Sequence, residues 1–286
     1  MFMAAGRRIL NLGCGSRFNP GHTNMDFIST HPFVRAWDLT EGVPFDDATF
    51  DLVYHSHVLE HFSAEAGQCF LRECARVLKP TGIIRVAVPD LETIARTYLA
   101  TLADRLNDSP SGVANHTWML LELYDQTVRT QPGGAMKQFL FAPELPNRDF
   151  IQQRVGSDAL KISAAAKLGP RSFFHKLEAL RRSGGGKRLY QKLAAGVVGG
   201  VAGLLLGRRG RRSFEQGWFR TGGEIHQTMY DYLALERALR QGGFEGIVRR
   251  DHQTSYCAEW SGFFLDNEPN GSAYKPDSLY AEGLKP

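Results

Sequence analysis

The stretch Arg8-Ile9-Leu10-Asn11-Leu12-Gly13-Cys14-Gly15, joined by a short loop to Asn24-Met25-Asp26-Phe27-Ile28, decides the fold. The first run reads as a buried strand entering a glycine turn, the second as its neighbour. A parallel crossover normally takes a dozen or more residues and usually a helix, so residues 16–23 predict an abbreviated connection. Further strands follow at 34–38, 49–54 and 83–88. Between the fourth and fifth, Val58, Leu59, Phe62, Phe70, Leu71, Cys74, Val77 and Leu78 recur at helical spacing until Lys79-Pro80-Thr81-Gly82 stops the pattern. From residue 91 to about 217 no stretch has strand character, whereas 113–128 and 173–193 have helical spacing. Asp231 can cap a helix running to Gln241, Gly242-Gly243 ends it, and strands six and seven fall at 246–254 and 278–284. The prediction is an α/β chain with a seven-stranded, mostly parallel sheet and a large helical insertion between strands five and six. Its parts are a ligand-binding core at 1–95, the insertion at 96–220 and a C-terminal completion of the sheet at 221–286.

With 286 residues, 43% of them hydrophobic, the chain suits one large domain carrying an insertion better than two domains. Cys14, Cys69, Cys74 and Cys257 form no C-x-x-C pair, so neither a disulfide framework nor a metal is expected, and a reducing cytoplasm is the simple reading. The apolar run at 9–12 is too short for a signal peptide. Net charge is +4, but residues 167–212 carry +11 and the rest −7, which argues for one localised anionic partner. Within that segment, 194–207 hold no charge and lie between Lys187, Arg188 and Lys192 on one side and Arg208, Arg209, Arg211 and Arg212 on the other. Spanning a bilayer takes about twenty apolar residues. The basic apolar segment 187–212 is therefore expected either to lie in an anionic membrane surface or to be a buried helix of the insertion. Nucleic acid is disfavoured, because only Phe173, Phe174 and Tyr190 interleave the charges of 167–212 up to residue 193.

A glycine turn after the first parallel strand brings backbone close to a ligand at the carboxyl edge of the sheet. Gly13 and Gly15 suit that place, with Cys14 between them. Asp26 and Asp38, ending strands two and three, face the same edge; one carboxylate can take both hydroxyls of a ribose and the other can sit near an adenine amine. No lysine-bearing phosphate loop follows, which suits a nucleoside without phosphates.

Together with Trp37-Asp38-Leu39-Thr40-Glu41-Gly42, Phe50-Asp51-Leu52-Val53-Tyr54-His55-Ser56-His57-Val58-Leu59-Glu60-His61 and Arg76-Val77-Leu78-Lys79-Pro80-Thr81-Gly82, these motifs resemble class I S-adenosylmethionine-dependent methyltransferases. The subgroup that is most similar is often encoded with polysaccharide-assembly enzymes. The resemblance implies a Rossmann-like fold and S-adenosylmethionine as cofactor, with Gly13, Cys14 and Gly15 along its methionine and ribose. It also implies Asp26 on the ribose, Asp38 and Leu39 at the adenine, and His55 and Ser56 closing the methionine side. Asn11, Ser16 or Arg17, and Thr81 depart from the usual pattern, where an acid, a glycine and a glycine are common. The implied activity is O-methylation of a sugar or related polar, small-molecule or glycan acceptor.

A hydroxyl acceptor benefits from a general base. Candidates are His57, His61, Asp125 and, first, His226, because the similar subgroup also shows a histidine four residues before a Tyr-Asp pair, here Tyr230-Asp231. Tyr124, Asp125, Gln126 and Arg129 span about one and a half helical turns and cannot all face the core; with Tyr230 they are candidates for the acceptor wall, or simply a solvated face. Two other functions compete. A nicotinamide-dependent oxidoreductase is disfavoured because Asp26 lies thirteen residues after Gly13, against roughly twenty in the dinucleotide fingerprint. The other is a methyltransferase-like scaffold that binds without catalysis.

Overall fold

The computed structural model describes residues 6–29, 31–104, 110–156 and 186–286. The predicted helix at 173–193 therefore lies mostly outside the described residues. Seven strands form one sheet in the order β3-β2-β1-β4-β5-β7-β6: β1 (Ile9–Leu12), β2 (Thr23–Asp26), β3 (Val34–Ala36), β4 (Phe50–Ser56), β5 (Leu78–Pro89), β6 (Glu245–Arg250) and β7 (Ser278–Leu284). All neighbours are parallel except β7, which runs antiparallel to both β5 and β6. Leu12 pairs with Met25 on one side and His55 on the other, so Gly13, Asp26 and Ser56 emerge at one edge of the sheet. This is the Rossmann-like architecture read from the sequence. β1 and β2 are joined without a helix, and a single 3-10 turn at Leu39–Glu41 stands between β3 and β4.

One face of the sheet is covered by α1 (Ala64–Val77) and, from much later in the chain, by the helix Tyr232–Gln241. Ser63 caps the first by accepting from Ala66 N at 3.2 Å, and Asp231 caps the second by accepting from Ala234 N at 2.8 Å. Phe70, Leu71, Cys74 and Val77 meet Leu235 and Leu239 over Leu10, Leu12, Val53 and Val86. Burying each large side chain of this set is worth about 1.5–3 kcal/mol.

The other face is closed by a strap, residues 251–277, whose Cys257, Trp260 and Leu265 pack on Ile9, Leu52, Tyr54 and Ile83. β6 stops at Arg250 rather than reaching 254, because the Asp251 carboxylate accepts from Gln253 N and Thr254 N at 2.8 and 2.7 Å and turns the chain. Under the strap lies Arg85, fully buried in β5. It donates to Asp266 at 2.7 Å, to Glu282 at 2.9 Å, and to the carbonyls of Thr254 and Asp251 at 2.9 and 2.6 Å. Tyr54 and Trp260 also donate to Asp266.

Between β5 and β6 the described residues are helical: α2 (Leu91–Asp104), α3 (Pro110–Val128), α4 (Gly134–Leu140), α5 (Arg148–Val155) and α6 (Gly186–Arg220), with Tyr232–Gln241 following as α7. α2 to α5 share a small core of Ile94, Trp118, Met119, Leu121, Leu140 and Ile151. α6 is bent at Gly207, whose φ of 66° and ψ of −165° are not helical.

Candidate active site

The glycine turn is built by two glycines that do different things. Gly13, at φ 66°, lies under Val58: a Cβ there would stand 2.2 Å from Val58 Cγ2. Its small size serves that packing rather than the approach of a ligand. Gly15, at φ 54°, has open space where a Cβ would go, so it is the glycine that leaves a cradle. Its N–H donates to Asp26 Oδ2 at 2.7 Å, and Asp26 Oδ1 accepts from Ile28 N at 3.2 Å. Each carboxylate oxygen has a second lone pair for a ribose hydroxyl. Asp38 Oδ1 caps the 3-10 turn by accepting from Thr40 N at 3.0 Å, with Leu39 half-buried behind it. Cys14 is buried, and burial first, then the charge of Asp26, pushes its thiol up to about 12. Arg17, in place of a third glycine, reaches across to the strap and donates to the carbonyls of Phe264 and Asn267 at 2.7 and 2.6 Å. The cradle at Gly15 beside an acid-ended strand fits an adenosyl group.

Where β4 ends, the chain turns sharply through His57, whose φ of 55° lies in the left-handed region. Its N–H is held by the carbonyl of Ala87 at 2.8 Å. Val58 packs on Gly13, so the residues just beyond the strand sit beside the glycine turn. Three histidines and a carboxylate gather there. His57 Nδ1 is 3.7 Å from Glu60 Oε1, and its Nε2 shares a hydrogen bond with Ser278 Oγ at 2.8 Å. His226 Nε2 is 4.0 Å from the same oxygen, and the rings of His226 and His61 meet edge to face at 4.9 Å. His61 Nδ1 donates to the carbonyl of Ile225 at 3.1 Å. Glu60 has no exposed surface, and neither carboxylate oxygen receives a hydrogen bond from another of the described residues.

Burial sets the protonation of this group. It drives His226 down to about 3, helped by His61, Arg129 and Lys275, and lowers His57 and His61 in the same direction. It pushes Glu60 up to about 8. The imidazoles are therefore neutral near pH 7, with burial opposing their protonation and leaving their lone pairs uncharged.

The remaining candidates from the sequence separate into two groups. Ser56 stays at the edge, 3.5 Å from Lys275 Nζ. Gln126 and Arg129 border the cluster: the Gln126 carbonyl accepts from His226 N at 2.9 Å, and Arg129 donates to the carbonyl of Glu224 at 2.5 Å. Tyr230 is buried in the main core, its hydroxyl raised first by burial and also by Glu60. His55 does not close the methionine side. It alternates to the α1 face, has no exposed surface, and stacks edge to face on Phe70 at 5.1 Å. Asp125 is not placed for proton transfer either, since its two oxygens accept from Ala135 N and Met136 N at 2.8 and 3.3 Å and start α4. Tyr124 is exposed on α3. Sequence reasoning did not single out Glu60, Lys275 or Ser278. Glu60 had a signal, standing between His57 and His61; the other two had none.

The strand order, with a glycine turn after β1 and an acid at the end of β2, is Rossmann-like in architecture. Residues 26–86, from the Asp26 strand end into β5, match the family described as a methyltransferase domain. No curated protein matches the sequence. Solved structures with partial similarity include the methyltransferase complexed with the Haloferax volcanii Trm112 activator, at 21% identity over 32% of this chain and 48% of that one, TM-score 0.26. A Pyrococcus horikoshii protein matches at 23% over 33% and 55%, TM-score 0.26. An S-adenosylmethionine-dependent methyltransferase from Thermotoga maritima matches at 10% over 99% and 84%, TM-score 0.36. The similarity thus spans about half the length of the first two.

Proposed function

We propose that the chain is an S-adenosylmethionine-dependent methyltransferase acting on a hydroxyl of a sugar or related polar acceptor. The observation that carries this reading is the group of neutral histidines around Glu60, flanking Val58, which packs on Gly13 of the glycine turn. Gly15 and Asp26 would hold the adenosyl end, and His57, His61 and His226 the acceptor end. Bound there, S-adenosylmethionine would supply a sulfonium methyl for transfer to the acceptor oxygen, with the carbon–sulfur pair retained by sulfur, and the chain's own part would be to align the two and accept the hydroxyl proton. Positioning does most of the work in such an in-line displacement. His226, neutral and facing Glu60, is the first candidate to take the proton, with His57 second. Incubation with labelled S-adenosylmethionine and extracts split into lipid, polysaccharide, protein and nucleic-acid pools tests the reading. Label is expected in the lipid or polysaccharide pool. Failure to bind the cofactor at all would favour the scaffold reading instead.

A second observation bears on where the acceptor is met. Arms 186–206 and 208–220 of α6 fold back on each other at Gly207, with small residues allowing the approach: a Cβ on Gly199 would stand 3.3 Å from Phe214, and one on Gly203 3.4 Å from Arg211. At the tip Leu204, Leu205 and Leu206 are 85%, 75% and 72% exposed. That exposure supports a surface position over a buried helix of the insertion. Arg208, Arg209, Arg211 and Arg212 follow, all exposed. No helix of the described residues is long and apolar enough to cross a membrane. An apolar tip collared by arginines suits the interface of an anionic bilayer, each charge adding on the order of 1 kcal/mol near the surface. A lipid-linked acceptor would lie in that same layer.

A further inference from the structure

We propose that Glu60, His61 and His226 form a site for one first-row divalent cation, such as Zn2+ or Mn2+, although the cysteine pattern gave no expectation of a metal. The inference rests on reading this cluster as the acceptor end of the methyltransferase, and it adds what activates the acceptor there.

The geometry is close to that of a metal centre. One donor atom from each of the three residues lies within 4.8 Å of the others, and His226 Nε2 stands 4.0 Å from Glu60 Oε1. Donors bound tetrahedrally at about 2.1 Å stand about 3.4 Å apart, so a cation would draw these three inward by about 0.5–1.5 Å. A carboxylate and two imidazoles are the ligand set of open catalytic centres and favour zinc or manganese over calcium. The hydrogen bond from His61 Nδ1 to the Ile225 carbonyl fixes that ring and its tautomer, as carbonyl partners do for metal-ligating histidines.

The second observation is the state of Glu60. Its carboxylate is completely buried, and both oxygens lack a partner from another residue. Such a group carries a large desolvation cost unless something positive or a donor meets it. Lys275 lies near enough to lower His57 and to oppose the rise of Glu60, yet neither Glu60 oxygen takes a hydrogen bond from it. A divalent cation would satisfy both oxygens and both imidazoles at once.

Three protein ligands leave positions open for the acceptor. The matching acceptor offers two adjacent oxygens, as a vicinal diol or a 2-hydroxy acid does, and the cation lowers the pKa of the hydroxyl it binds. With a cation bound, His226, the first candidate for the base, would be occupied as a ligand, and the released proton would fall to the second, His57, whose Nδ1 faces Glu60 at 3.7 Å.

The test is calorimetric titration of the full chain, stripped of metal with chelator, with ZnCl2 and with MnCl2. One site per chain is expected. Glu60→Gln, His61→Ala and His226→Ala should each weaken it by more than the roughly 10–100-fold that losing an outer partner of a ligand costs. His252→Ala, on the strap, should not change it. Glu60→Gln keeps the shape of a protonated glutamate, and its thermal unfolding without metal should match the parent, which separates ligand loss from misfolding. Absence of a site, or equal binding by Glu60→Gln and His226→Ala, overturns the proposal. S-adenosylmethionine affinity is measured on the same samples: no metal site together with normal cofactor binding removes only the cation, whereas failure to bind the cofactor removes the reading beneath it.

Discussion

Replacing Arg85 by Met tests whether the strap is held by one buried ionic centre. The guanidinium makes four hydrogen bonds, to Asp266, Glu282 and two strap carbonyls, and lies between Trp260 and Tyr280 with its centre 4.7 and 5.5 Å from their rings. Methionine fills much of the same volume but leaves Asp266, at 3% exposure, and Glu282, at 0%, without their shared cation. Breaking a buried pair by removing one partner typically costs about 3–5 kcal/mol, because the other charge stays uncompensated. At about 2–4 °C per kcal/mol for a chain of this size, the melting temperature should fall by on the order of 6–20 °C. Asp266→Asn in the Arg85→Met background should recover part of the loss by removing one of the stranded charges. Arg85→Lys should also lose stability, since a point charge cannot replace the fork. Calorimetric unfolding reads all three. A loss below about 1 kcal/mol for Arg85→Met would refute the reasoning and leave apolar contacts of Trp260 and Leu265 as what closes this face.

At the cofactor edge, Gly15→Val should cost only about 1–2 kcal/mol for its positive φ yet abolish S-adenosylmethionine binding, and Asp26→Ala should lose binding with the fold intact; near-normal affinity in both would refute the cradle. Gly13→Val, by contrast, should unfold the domain, and Val58→Ala should partly restore it if the clash with Val58 is the cause. His226→Ala should lower turnover by roughly 10²–10⁴ with cofactor affinity unchanged, and unchanged turnover would move the role to His57. The chain should float with phosphatidylserine liposomes and not with neutral ones, and a variant with Leu204, Leu205 and Leu206 changed to Ser should stay at the bottom of the gradient. Equal flotation by that variant would refute docking through the hairpin tip.

What could be read from the sequence divides by how far apart the interacting residues lie. β1 and β2 were legible because their apolar runs and the glycine turn are local, and the shortness of 16–23 already ruled out a crossover helix. Arg85 was not: in Ile83-Ile84-Arg85-Val86 a charge within a strand suggests a solvent-facing position, and its partners Asp266 and Glu282 come 181 and 197 residues later. The strap that brings Asp266 and Lys275 has no periodic pattern, and Ser278 and Glu282 lie in β7, whose apolar run marks a strand but not what its polar residues meet. Asp125 was misread because a carboxylate amid polar residues on a helix looks free, whereas the next turn of chain uses it. Gly134 has no side chain, and a Cβ there would stand 2.3 Å from Asp125 Oδ2, which is what lets the start of α4 come close enough to donate to it. The same reasoning applies to Gly207. Fourteen uncharged residues ending in Leu204-Leu205-Leu206-Gly207 look like one apolar helix, and composition offers no sign of a reversal. Only the positive φ at Gly207, with Gly199 and Gly203 set against Phe214 and Arg211, turns that stretch into two arms and leaves its leucines at a tip. A methyl at Gly199 would press Phe214 back by a few tenths of an ångström and one at Gly203 would just touch Arg211, so the arms meet at van der Waals distance through residues that contribute almost nothing to the apolar area of this surface.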